Sequence, residues 1–145
     1  MAFVSGLEMT RPLETLVLDD DYRWRYLVAS NVESYLGMAP VLSSRGPEAL
    51  AIMAERPIDV VIADLLMPGM DGLEFLRESR KLFPRTNVIL LSADFNTFPI
   101  APDSLITHGA LAAIPKAEIS SRLIPLLRFL QDLPDMHLLQ PALLN

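Results

Sequence analysis

Three consecutive carboxylates, Asp19-Asp20-Asp21, follow the apolar run Leu16-Val17-Leu18, and a fourth, Asp64, closes the run Val60-Val61-Ile62-Ala63. Ser92 ends a further run that includes Val88-Ile89-Leu90-Leu91, and Lys116 stands just past residues 110–114. In an open parallel sheet the carboxyl ends of strands beside the topological switch point line one crevice, so these groups can converge although they are distant in sequence. Carboxylates packed together repel unless a hard cation neutralises them, and an oxygen-only cluster of this size suits Mg²⁺. With a carboxylate nucleophile, a hydroxyl donor and a fixed ammonium beside the metal, the set fits phosphoryl transfer, where positioning and charge neutralisation carry most of the catalysis. Taken singly, Asp19 to Asp21 read more readily as a helix N-cap, and Asp64 as the start of a turn; it is Ser92 and Lys116 at the same edge that shift the weight.

Such convergence needs alternating strands and helices, and the hydrophobic pattern supplies them. Strands are expected at 16–19, 40–43, 59–63, 88–92 and 110–114, separated by helical periodicity at 22–36, 47–55 and 73–83. Gly37, Pro57 and Pro84 stand where helix breakers belong. The central runs do not alternate with polar residues, as expected of strands buried on both faces, so the fold class is α/β with a parallel sheet. The fourth connection is irregular: Pro99 and Pro102 lack amide donors, leaving 103–108 as a short helix with Asp103 as a candidate cap. A strongly apolar segment, 120–133, contains Pro125 and expects cover for Leu123, Leu126, Leu127 and Leu130. The tail beyond it continues with Leu138, Leu139, Leu143 and Leu144, so burial by the tail or by a second chain is expected.

Composition excludes several functions. The chain has 145 residues, one domain's worth, with 12 basic and 18 acidic side chains and a net charge of −6, which disfavours a phosphate-backbone surface and direct nucleic-acid binding. Its aliphatic runs are too short to span a membrane, and residues 1–12 lack the basic start of a secretory signal. With 0 cysteines there is no thiolate metal site or disulfide, which suits the cytoplasm. His108 precedes Gly109 at an expected helix end, where a capping role outweighs catalysis, and His137 lies in the tail without a ligand partner. Trp24, Tyr26 and Tyr35 read as core or helix-surface aromatics.

The segments Leu16-Val17-Leu18-Asp19-Asp20-Asp21, Asp64-Leu65-Leu66-Met67-Pro68-Gly69-Met70-Asp71-Gly72, Leu91-Ser92-Ala93 and Lys116 together resemble the receiver domain of two-component response regulators. The resemblance implies a doubly wound, flavodoxin-like fold: a five-stranded parallel sheet of order 2-1-3-4-5 with helices on both faces. It makes residues 14–132 the receiver, 1–13 an N-terminal extension and 133–145 an apolar tail. Asp64 becomes the phosphoacceptor. Asp20 becomes a direct Mg²⁺ ligand, Asp19 a ligand through water, and the Leu66 carbonyl a further metal ligand. Lys116 is then the partner of the phosphoryl group or of Asp64, and Ser92 the hydroxyl that reports phosphorylation. The implied donor is a histidine kinase or phosphotransfer protein. The implied output is a downstream protein or a homodimer, met through the fourth helix, fifth strand and last helix together with the tail.

Departures from the family pattern gather on that output face. Ala113 stands where receivers carry the switch Tyr or Phe, and Ala117 follows Lys116 where they carry Pro, while Pro115 precedes it. Two other functions compete. A receiver-like scaffold binding partners without phosphorylation is favoured by Ala113 and the altered fourth helix and opposed by the complete pocket. A haloacid-dehalogenase-type hydrolase, which also uses an Asp at a strand end, wants a second Asp where Leu66 stands.

Overall fold

The computed structural model describes residues 12–97 and 100–133. Five strands, β1 (Thr15–Leu18), β2 (Val41–Ser43), β3 (Val60–Asp64), β4 (Asn87–Ser92) and β5 (Ala112–Pro115), alternate with five helices. The helices are α1 (Tyr22–Leu36), α2 (Gly46–Glu55), α3 (Gly72–Leu82), α4 (Pro102–Thr107) and α5 (Ile119–Asp132). All strand pairs are parallel and the sheet order is β2-β1-β3-β4-β5, so the expected doubly wound fold is the one observed. Residues 1–11 of the N-terminal extension, Pro99 and the tail from 134 onward, His137 included, lie outside the described residues.

Strand side chains divide between the two faces with period two. Leu16, Leu18, Val61, Ala63, Val88 and Leu90 pack with Ala49, Met53, Leu73, Phe75, Leu76 and Leu105, so α2, α3 and α4 cover one face. Val17, Val60, Ile62, Ile89, Leu91 and Ile114 pack with Val28, Val32, Leu123, Leu127 and Leu130, so α1 and α5 cover the other. Burial on both faces explains the unbroken apolar runs: with no wet face, nothing selects polar residues at alternate positions.

The helix ends follow local chemistry. Asp21 caps α1, its carboxylate accepting from the Arg23 amide at 2.9 Å, and Gly37 ends it at φ 74°, a left-handed conformation that suits glycine. Asp71 and Glu74 form a reciprocal capping box at the start of α3, with bonds of 2.9 and 3.1 Å. The fourth helix starts one residue earlier than its sequence suggests. Pro102 occupies the first turn, where a missing amide donor costs nothing, so Ala101 takes the cap position and Asp103 lies inside the first turn. His108 closes α4 as expected, its Nδ1 lying 2.7 Å from the Ser104 carbonyl, and Gly109 follows at φ 108°.

Two expectations at the end of the chain are refined. Strand β5 begins two residues later than its apolar run and ends on Pro115, which an edge strand tolerates because one side of it donates to no ladder. In α5, Pro125 lies inside the helix. The α5 leucines also need less outside cover than their number suggests, since Leu123, Leu127 and Leu130 are buried and Leu126 is half-buried against the same cluster. Phe129 and Leu133 stay exposed.

Candidate functional site

Strand order brings the polar residues together. Strand β1 lies between β2 and β3, and the chain winds outward from it in both directions, so the carboxyl ends of β1 and β3 flank the switch point. Asp19 directly follows β1, Asp64 is the last residue of β3, Ser92 the last of β4, and Lys116 the first residue past β5.

One carboxylate oxygen from each of Asp19, Asp20 and Asp64 lies within 4.8 Å of the others. Asp19 and Asp64 are buried, whereas Asp20 is exposed. Asp19 is committed on both oxygens: Oδ1 accepts from the Asp21 amide at 2.9 Å, and Oδ2 accepts from Lys116 Nζ at 2.9 Å. The Asp19 carbonyl also accepts from Arg25 Nη1 at 2.7 Å, tying the strand end to α1. Asp20 makes no hydrogen bond or ion pair among the described residues, so its carboxylate is available to an incoming cation. Asp21 turns away to cap α1, and the Arg23 guanidinium holds its pKa below the usual carboxylate value. Within the triplet, then, Asp21 caps the helix, while Asp19 and Asp20 belong to an acidic cluster that could hold a metal ion.

Lys116 is 6% exposed, and its ammonium bridges Asp19 and Asp64, reaching Asp64 Oδ1 at 3.2 Å. Burial, and then the neighbouring Asp19 charge, push the Asp64 pKa up to about 6 against the pull of Lys116. Asp64 is still mostly ionised at neutral pH. Ser92 is buried, and its hydroxyl accepts from the Asp94 amide at 3.2 Å. Leu66 is exposed in the loop two residues past Asp64. The donor set fits a hard divalent cation: three carboxylates, no nitrogen or sulfur, one of them open to solvent.

Two neighbours make contacts with the site that the sequence reading did not assign them. A Cβ on Gly72 would lie 2.6 Å from the Asp64 carbonyl oxygen and 2.7 Å from Leu65 Cα, so the start of α3 presses on the backbone that carries Asp64. The Gly72 amide donates to the Leu65 carbonyl at 2.8 Å in the same contact. Trp24, which reads from sequence as an ordinary core aromatic, is half-buried with its ring centroid 4.8 Å from Lys116 Nζ. Its signal was available only as an aromatic within one turn of the capping Asp21. By contrast Tyr26 is exposed, and Tyr35 packs far along α1, where Arg128 lies 5.8 Å from its ring.

Residues 15–128 match the family model described as the response regulator receiver domain. A Rickettsia typhi protein named as an NtrX-like response regulator is 34% identical over 118 residues, covering 80% of this chain and 24% of its own length. The DNA-binding transcriptional regulator NtrC of Salmonella typhimurium is 32% identical over 100 residues, covering 69% of this chain and 21% of that protein. This chain thus spans about a quarter of the length of these relatives. Among solved structures, the receiver domain of NtrX from Brucella abortus superposes with a TM-score of 0.73 at 29% identity, covering 82% of this chain and 98% of that one.

Proposed function

The chain belongs to the response regulator receiver family of two-component systems, and on that premise we propose that it is a phosphoacceptor, taking a phosphoryl group from a histidine kinase or phosphotransfer protein onto Asp64. The observation that carries this reading is the buried Lys116 bridge to Asp19 and Asp64, beside the open carboxylate of Asp20. In the transfer, an Asp64 carboxylate oxygen forms the new bond to phosphorus as the donor's phosphorus–nitrogen bond breaks, and the donor imidazole keeps the electron pair. Lys116 stands within reach of the added negative charge, and the Ser92 hydroxyl has an O–H to donate to a phosphoryl oxygen. Asp19, Asp20, Asp64 and the Leu66 carbonyl would hold Mg²⁺, which supplies charge neutralisation on the phosphoryl oxygens when bound. The chain catalyses only its own phosphorylation and dephosphorylation.

The receiver unit is assigned to residues 14–132, and its signal to altered binding of a downstream protein or a second copy through the α4–β5–α5 face and the tail. No helix among the described residues is long and apolar enough to cross a membrane, and the lack of cysteine fits a cytoplasmic setting. A second reading, a scaffold that binds partners without phosphorylation, draws on Ala113 and on the short fourth helix. A hydrolase of the dehalogenase type is disfavoured by exposed Leu66, an apolar side chain where that chemistry needs a carboxylic acid.

Mass analysis after incubation with acetyl phosphate tests this reading. Wild type should gain one phosphoryl group in Mg²⁺ and none in excess chelator, and Asp64→Asn should gain none in either. Uptake without a divalent cation, or a phosphoryl group found on Ser92, overturns it.

A further inference from the structure

Lys116 faces a conflict that its carboxylate partners cannot resolve. Its ammonium is buried between Asp19 and Asp64, two members of the acidic cluster. A cation held by that cluster draws on the same oxygens and repels the ammonium, so both ion pairs weaken when the pocket is loaded. The remaining contact is the face of Trp24, 4.8 Å from Nζ to the ring centroid. Among the described residues it is the one attraction on this ammonium that comes from outside the carboxylate cluster.

The fold holds the indole in place. Trp24 sits in the first turn of α1 behind the Asp21 cap, and it packs on the apolar layer formed by Val28, Val32, Ile114 and Leu123. The Arg25 bond to the Asp19 carbonyl ties the same turn to the end of β1. A ring fixed by packing on one side presents its negative π-face to the ammonium on the other, and that attraction is strengthened where water is excluded.

We infer that Trp24 is a positioning residue for Lys116: its ring keeps the ammonium aimed at Asp64 when the acidic cluster is occupied by a cation. The role in phosphoryl transfer rests on the reading that Asp64 is the phosphoacceptor, whereas the contact itself does not. The indole acts only through Lys116 and touches no reacting atom. Because Trp24 is the only tryptophan of the chain, its ring can be altered without a second site responding.

The experiment uses the full chain with Trp24 replaced biosynthetically by mono- and difluorotryptophan, which drain the π-face while nearly preserving shape, alongside Trp24→Phe and Trp24→Leu. The first readout is the NMR signal of the Lys116 ε-methylene, with and without Mg²⁺. In wild type the ring should shift it upfield of an ordinary lysine in both states. Trp24→Phe should keep part of the shift and Trp24→Leu should abolish it. The second readout is the phosphorylation rate with acetyl phosphate and Mg²⁺, which should fall stepwise with each fluorine and by about three- to tenfold in Trp24→Leu, with Trp24→Phe between. An ordinary ε-methylene shift in wild type, or loss of the shift once Mg²⁺ is added, overturns the inference. So do equal rates across the fluorinated series, which also decide the matter if Trp24→Leu does not fold. A wild type that keeps the upfield shift but takes up no phosphoryl group would instead reject the phosphoacceptor reading and leave the Trp24–Lys116 contact standing.

Discussion

The two ends of the β4–β5 region are built on opposite plans. At the carboxyl edge of the sheet, buried Lys116 is held between Asp19 and Asp64 at 2.9 and 3.2 Å, and buried Ser92 is held by the Asp94 amide at 3.2 Å. On the flank beside it, α4 has six residues, starts on Pro102 without a side-chain cap, and packs near Ala113, whose methyl group is half-buried. The difference teaches where this domain is over-determined. Directional charged contacts leave the pocket one arrangement, whereas a short helix anchored by one fully buried side chain, Leu105, leaves the flank free to have two.

The largest effect should come from the charge stored in the pocket. Because the Asp64 pKa rises from 3.8 to about 6 on folding, the native state binds its proton more tightly than the unfolded chain. Between these values the native state therefore holds more protons, and stability falls as pH rises, by up to about 3 kcal/mol once pH exceeds the native pKa. Urea melts in chelator should show that decline in wild type and a flatter profile in Asp64→Asn, and saturating Mg²⁺ should restore wild-type stability above pH 6. Parallel pH profiles for the two proteins would break the comparison at its stronger end.

Next come two glycines, one on each side. A methyl group on Gly72 meets backbone atoms of Asp64 and Leu65 that cannot move aside, so Gly72→Ala should cost about 2 to 3 kcal/mol and slow phosphorylation. At Gly109, which links α4 to β5, the nearest atoms belong to the flexible Arg80 side chain, and the strain comes from φ of 108°. Gly109→Ala should cost about 1 to 2 kcal/mol and leave the phosphorylation rate unchanged. Equal effects on rate would erase the distinction between a rigid pocket and a tolerant flank.

A smaller effect tests the missing switch aromatic. With beryllofluoride standing in for the phosphoryl group, amide resonances of Ser92–Asn96 and of α4 should shift more than those around Ala113, because an alanine has no rotamer with which to respond. Larger shifts centred on Ala113 and α5 would show a route through the face that looks least equipped for it. The smallest effect concerns Thr15 at the opposite end of β1, whose buried hydroxyl has no hydrogen-bond partner among the described residues. Thr15→Val should change stability by no more than about 0.5 kcal/mol, and in the favourable direction, as measured by thermal melting.

Much of this was readable in the chain itself. The runs around Val61 and Leu90 carry no polar alternation because both faces of the sheet are covered, so the α/β class followed from local pattern. Asp19, Asp20, Asp64, Ser92 and Lys116 could be singled out in advance because each lies at or just past the end of an apolar run, and in a parallel sheet those ends share an edge. Tertiary structure alone decided how the groups divide the work there. Three adjacent aspartates have the same side chain, and only the turn from β1 into α1 commits Asp19 to Lys116, frees Asp20 and sends Asp21 to the helix cap. Likewise no spacing in the sequence links Trp24 to Lys116. Their contact arises from packing between segments more than ninety residues apart, and non-local packing of that kind leaves no period in the chain.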